Sequence, residues 1–252
     1  MAWLILQHLF KPCFNALQVA RQMPGVECMT QPTIVFDLDG TLADTAPDLY
    51  ATVCWLLRQE GRSSVPYSRM KSLIGDGAGP MVRGSFGDTG KMPEGAEYER
   101  LVNLFLGYYM EHLADSSEPF GGALDVIKRL KARGALIAIC TNKRYDFTEK
   151  QLAFWRIRHL FDAVKGSDSF PWRKPDGRHL IETIKTAGGD PSNAVMIGDT
   201  PTDTGAARNA DVPVVAVSFG YGKVPAHELD ADRRIDHFSQ LDRAVDELVR
   251  WP

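Results

Sequence analysis

Four short apolar runs along the chain each stop at a small polar group, and this pattern constrains the fold more than any other feature. Thr33-Ile34-Val35-Phe36 stops at Asp37-Leu38-Asp39-Gly40-Thr41, and residues 135–140 stop at Thr141-Asn142-Lys143. Residues 194–197 stop at Gly198-Asp199, and residues 214–217 stop at Ser218-Phe219-Gly220. The runs are apolar throughout rather than alternating, which is how strands covered on both faces read. Helical patterns lie between them: Leu124, Ile127 and Leu130 share a face closed by Gly134, and residues 179–186, 205–209 and 241–249 read likewise. Strands alternating with helices predict an α/β fold with a doubly wound, Rossmann-like parallel sheet. Such sheets gather the polar residues at the carboxyl ends of their strands into one crevice.

One segment breaks the alternation. Residues 47–117 carry no strong strand pattern; residues 48–57 and 98–113 are the best helices, while 75–80 and 84–95 read as loops. The expectation is a small helical cap over 47–117, hinged near Ala46-Pro47 and Pro119-Gly122 and inserted into a core of residues 29–46 and 118–252. The stripe of Tyr98, Leu101, Phe105, Tyr108 and Tyr109 is expected to form the cap's own core. Residues 1–28 differ from the rest. Their apolar patch at 3–10 is broken by Gln7 and His8 and has no preceding positive charge, so it does not fit a secretory signal. Met29, which runs directly into the first strand, is the expected natural start.

Composition narrows the function classes. A chain of 252 residues with 44% hydrophobic and 24% charged residues is ordinarily globular. A net charge of −3 gives no global attraction to nucleic acid or to an anionic membrane, and no run approaches the roughly 18 apolar residues of a membrane span. Cys13, Cys28, Cys54 and Cys140 are far apart and form no C-x-x-C pair, which suggests neither a zinc site nor a disulfide framework. A soluble cytoplasmic protein, monomer or homodimer, is the expectation. No G-x-x-x-x-G-K-[ST] motif is present, and no G-x-G-x-x-G follows a strand.

The chemistry lies at the strand ends. Side chains two apart on an extended segment point the same way, so Asp37 and Asp39 would share one small space, where like charges repel. That arrangement serves phosphoryl transfer, with one carboxylate as nucleophile and the other as acid/base, although an Asp-Gly turn explains the pattern equally well. Asp199 and Asp203 supply hard oxygen ligands of the kind magnesium takes, or a helix cap. Thr141 and Asn142 can hold phosphate oxygens, and Lys174 can neutralise the charge that builds up in transfer. Each motif alone has a plain structural explanation.

Taken together, strand–DxDGT, strand–Thr, Lys-Pro and strand–GDxxxD resemble the haloacid dehalogenase-like phosphatases in order and spacing, over about residues 33–222. The resemblance implies Asp37 as nucleophile and Asp39 as general acid/base. It implies Thr141, Asn142 and Lys174 around the phosphate, and Mg2+ held by Asp37, the Asp39 backbone carbonyl and Asp199, with Asp203 in support. Thr141-Asn142-Lys143, the turn at 219–222 and the cap loop at 74–77 further resemble phosphoglycolate phosphatases. The implied substrate is a small phosphorylated metabolite, 2-phosphoglycolate first, with Gly75, Asp76, Gly77 and Arg83 as cap residues that could meet it. The alternatives are a β-phosphoglucomutase-type mutase, or a phosphatase of nucleotides, sugar phosphates or pyrophosphate.

Overall fold

A computed structural model of the chain describes residues 30–252. The patch at 3–10 and the expected start at Met29 lie outside the described residues. Six strands form one parallel sheet: β1 (Thr33–Phe36), β4 (Leu136–Cys140), β5 (Ala163–Lys165), β6 (Ala194–Gly198), β7 (Val214–Val217) and β8 (Arg233–Ile235). Their spatial order is β5-β4-β1-β6-β7-β8. The chain leaves β1 for β4 on one side and later returns to β6 on the other, so β1 sits at the point where the winding reverses. Its last residue, Phe36, is level with Ile139 on β4 and Ile197 on β6. The polar residues that follow these three strands are therefore delivered to the same edge of the sheet.

Both faces of the sheet are covered, which explains the unbroken apolar runs. Ile34 and Phe36 face one side, where they pack with Val126, Ile127 and Leu130 of α5 (Ala123–Ala132) and with Leu241 and Val245 of α9 (Leu241–Asp246). Val35 and Met196 face the other, with Leu180 and Ile184 of α7 (Gly177–Thr186) and Ala207 of α8 (Pro201–Arg208). Cys140 lies in this second layer, and burial pushes its thiol up to about 12. It is a small core residue rather than a reactive one. Among the described residues no helix is long and apolar enough to cross a membrane.

The insertion is helical. It comprises α1 (Ala46–Gln59), α2 (Tyr67–Lys71), α3 (Ala78–Asp88) and α4 (Gly95–His112). Leu49, Val53, Leu56, Met70, Phe86, Leu101, Phe105 and Tyr109 form its separate apolar cluster, which Phe147 and Tyr221 of the core also enter. The chain passes into and out of it beside a two-stranded antiparallel ribbon of β2 (Ala43–Asp44) and β3 (Glu118–Pro119). Asp48 fastens the stem: its buried carboxylate accepts from the Ser116 and Ser117 amides and from the Ser117 hydroxyl.

Four elements differ from the sequence expectation. The loop-like stretches around residues 75–95 contain the helix α3, whose glycines read as breakers but serve packing. A Cβ on Gly84 would press into Leu73, and one on Gly79 would collide with the Tyr98 hydroxyl. Strands β5 and β8 had no detectable pattern, the first because it has three residues and the second because it is an edge strand with two exposed arginines. Helix α6 (Tyr145–Phe154) has only a weak apolar stripe and was not expected either.

Candidate active site

Four buried charged groups form the centre. Asp37 follows β1, Asp199 follows β6, and Asp203 sits on the first turn of α8, where Pro201 occupies the opening position. One carboxylate oxygen from each of these three residues lies within 4.8 Å of the others. Lys174 reaches them with its side chain 1% exposed, its Nζ 3.0 Å from Asp37 Oδ1 and 2.6 Å from Asp203 Oδ1.

The hydrogen bonds divide the carboxylates by task. Asp203 is saturated: Oδ2 accepts from the Asp199 and Thr200 amides and the Thr200 hydroxyl, and Oδ1 accepts from Lys174. It braces Asp199 and the lysine. Asp199 accepts one bond on each oxygen, from the Thr41 hydroxyl at 2.8 Å and the Tyr221 amide at 2.7 Å. Asp37 uses only Oδ1, toward the Leu38 amide at 2.7 Å and Lys174; among the described residues nothing bonds its Oδ2. The glycines beside Asp199 are fixed by its size. A Cβ on Gly40, whose φ is +85°, would meet Asp199 Oδ2 at 2.6 Å, and one on Gly220 would collide with the same side chain.

This group fits a divalent cation. Three carboxylates face a single lysine in a site almost closed to water, which leaves an excess of two negative charges if all ionise. The imbalance shows in the protonation. Burial raises Asp37 to about 6, with Lys174 opposing and Asp203 adding to the rise. Burial, then the charges of Asp203 and Asp37, raises Asp199 to about 8. Burial alone would lower Lys174, but Asp203 and Asp37 outweigh it and hold the ammonium well above its usual range. Magnesium matches the excess charge and the hard oxygen donors. Asp37 and Asp199 would hold it, with Asp203 bracing them.

A pH-dependent stability follows. The carboxyl groups of Asp37 and Asp199 hold protons more tightly folded than unfolded. Their protonation therefore stabilises the fold fully below about pH 4, and this is lost as pH rises through about 6 and about 8. Bound magnesium offsets the loss. We expect it to raise the melting temperature by about 3–8 °C at pH 8 and by much less at pH 5.5. Equal shifts in calorimetric scans at the two pH values would contradict this.

Above the carboxylates lies a cavity of about 210 Å3 between the core and the insertion. The core lines it with Asp37, Asp39, Thr141, Asn142 and Lys143, and the insertion with Gly75, Gly77, Met81, Phe105 and Tyr109. Asp39 lies beyond the strand, in the turn after β1, so the two-residue alternation does not govern it. Its carboxylate bonds Lys143 Nζ at 3.0 Å, outside the Asp37–Asp199–Asp203 group. Lys143 also donates to the Tyr109 hydroxyl at 2.5 Å and so ties the insertion to the site. Thr141 is buried at the end of β4, and its hydroxyl accepts from the Lys143 amide. Asn142 Nδ2 donates to the Lys174 and Gly75 carbonyls, bridging core and insertion. Gly166 lets these loops close: a Cβ there would strike the backbone of Lys143, Arg144 and Tyr145.

Two of the residues expected to meet substrate lie elsewhere. Asp76 accepts from the Thr202 hydroxyl and borders a neighbouring shallow depression. Arg83 stacks its guanidinium 4.5 Å from the Tyr98 ring centroid and lines another surface recess. Neither lines the cavity above Asp37. Sequence reasoning missed Thr41, Lys143, Tyr109 and Tyr221. Thr41, Lys143 and Tyr221 lie within motifs that the sequence offered, which was the available signal; Tyr109 stood only in the cap's aromatic stripe, since its partner Lys143 comes from a distant part of the chain.

The haloacid dehalogenase-like hydrolase family model matches residues 34–217, well over half of the chain. The chain belongs to the haloacid dehalogenase-like hydrolase family. Among its relatives, a phosphoglycolate phosphatase of Caulobacter vibrioides is 41% identical over 217 residues, covering 86% of this chain and 92% of the relative. One of Mesorhizobium japonicum is 41% identical over 215 residues, covering 84% and 94%. The crystal structure of a predicted phosphoglycolate phosphatase from Haemophilus somnus superposes with a TM-score of 0.80 at 26% identity, over 85% of this chain and 97% of that one. In this haloacid dehalogenase-like hydrolase, Asp37, Asp39 and Thr141 line one cavity, and Lys174, Asp199 and Asp203 gather around Asp37 beneath it.

Proposed function

We propose that the protein is a magnesium-dependent phosphatase that hydrolyses 2-phosphoglycolate through a phosphorylated Asp37. The observation that carries the chemistry is the Asp37 carboxylate: Oδ1 is anchored by Leu38 and Lys174, while Oδ2, beneath the cavity, has no partner among the described residues. An anchored carboxylate with one free oxygen is already oriented for attack. The substrate reading draws on the 41%-identical relatives and on the size of the cavity, about 210 Å3, which suits a two- or three-carbon ester better than a nucleotide.

In this reading Asp37 Oδ2 attacks phosphorus, the ester P–O bond breaks, and Asp39 gives its proton to the departing glycolate oxygen. Asp39 then takes a proton from water as the water oxygen attacks phosphorus, which releases phosphate and restores Asp37. The Thr141 hydroxyl and the Asn142 backbone amide hold phosphate oxygens, and Lys174 balances the charge on the transferring group. Magnesium, when bound, polarises the phosphoryl group and neutralises its charge. The insertion closes the cavity and limits the access of other acceptors.

Brief reaction with phosphorus-labelled substrate followed by acid quench tests the reading. The wild-type protein should carry an acid-stable label that hydroxylamine removes, and Asp37→Asn should carry none. Turnover with no trapped label in either protein would overturn the covalent route. Asp39→Asn should slow phosphate release by about 10²–10⁴-fold, the usual size of a general acid/base contribution; a near-wild-type rate would mean that another group serves.

A further inference from the structure

The geometry points to Arg173 as the residue that recognises the carboxylate of the substrate, an inference that rests on the phosphatase reading above. Three basic side chains line the cavity above Asp37: Lys143, Arg144 and Arg173. The first two are engaged. Lys143 pairs with Asp39 at 3.0 Å, and Arg144 pairs with Asp146 at 3.0 Å and with Asp168 at 3.8 Å. Arg173 makes no side-chain hydrogen bond and no ion pair among the described residues, although its guanidinium approaches the cap loop: Nη1 lies 3.8 Å from where a Gly77 Cβ would stand. Gly77, with φ of +93°, lines the same cavity.

The position suits an anion larger than phosphate alone. Arg173 directly precedes Lys174, whose ammonium is already committed to Asp37 and Asp203. The phosphoryl group is served on the Asp37 side, and the exposed guanidinium of Arg173, which also borders the two neighbouring surface recesses, can turn to a second negative group of the same molecule. A carboxylate matches its planar pair of donors. In a cavity of about 210 Å3 the two anionic groups must lie within a few bonds of each other. The site thus favours short phosphate esters that bear a carboxylate over esters that do not. Arg83, one of the cap residues that could have met the substrate, is stacked on Tyr98 and does not line this cavity.

The test compares steady-state hydrolysis of 2-phosphoglycolate, 3-phosphoglycerate and ethyl phosphate by the wild-type protein, Arg173→Met and Arg173→Lys, with magnesium. For a carboxylated ester, Arg173→Met should lower kcat/KM by about 10–100-fold, mostly through KM, and Arg173→Lys should recover part of it. Ethyl phosphate should change by less than about threefold. An equal loss on all three esters would overturn the inference, by making Arg173 a phosphate or structural residue. Unchanged kinetics on the carboxylated esters would overturn it too. A wild-type preference for 3-phosphoglycerate, lost selectively in Arg173→Met, would uphold Arg173 and refute 2-phosphoglycolate as the substrate.

Discussion

Replacing Asp37 with asparagine is expected to lower phosphate release by at least about 10⁴-fold while leaving the fold intact. The rate falls because the amide cannot serve as the attacking oxygen, and among the described residues the neighbouring carboxylates, Asp199 included, are already engaged. Asp39 is held by Lys143, and Asp203 has both oxygens engaged. The fold survives because the amide carbonyl can still accept the bonds from Leu38 and Lys174 that Asp37 Oδ1 accepts now. Burial already raises the Asp37 carboxyl to about 6, so its neutral form costs the protein little. Metal-free Asp37→Asn should therefore melt at or slightly above the wild-type temperature. Retained turnover would remove Asp37 as nucleophile, and a collapsed melting transition would show that its charge holds the fold.

Replacing Lys174 with methionine should have the opposite balance, with stability and activity lost together. The side chain is 1% exposed and, among the described residues, is the one cation in contact with the carboxylate group. Methionine fills similar space but leaves Asp37, Asp199 and Asp203 facing one another. Breaking a buried pair in this way costs about 3–5 kcal/mol. Chemical denaturation of the metal-free protein should show that loss at pH 8, and magnesium should restore part of it by supplying positive charge. Activity should fall by about 10³-fold even with magnesium, since the charge on the transferring group loses its fixed partner. A destabilisation below about 0.5 kcal/mol would mean that the carboxylates are protonated or hydrated rather than balanced by the lysine.

The contrast between these variants reflects how unevenly the molecule can be read from its sequence. Strands β1, β4, β6 and β7 were visible because burial on both faces makes them continuous apolar runs, and their polar ends marked the site directly. Asp37, Thr141, Lys174 and Asp199 surround one point because their strands or loops share an edge, which the alternation of strand and helix predicts. The insertion was harder. Its helix α3 contains Gly79, Pro80, Gly84 and Gly87, residues that disfavour helix locally; Tyr98 presses against Gly79 and Leu73 against Gly84, which leaves no room for a side chain at either. Cap-side chemistry was harder still. Arg83 and Arg173 border one surface recess, and they differ in that Arg83 is stacked on Tyr98 whereas Arg173 also reaches the cavity above Asp37. Local pattern carries strands and their ends; it does not carry which of two arginines a tertiary contact has already used.

The most direct test of the account is phosphate release, with magnesium, from a panel of small phosphate esters. It should include 2-phosphoglycolate, nucleoside monophosphates, sugar phosphates and pyrophosphate, with Asp37→Asn as the control. The account predicts a clear preference for 2-phosphoglycolate, a silent control, and reversible loss of activity in excess chelator. Equal activity of the control, or full activity in chelator, would contradict the site and its metal. A preference for a nucleotide or a sugar phosphate would contradict the substrate.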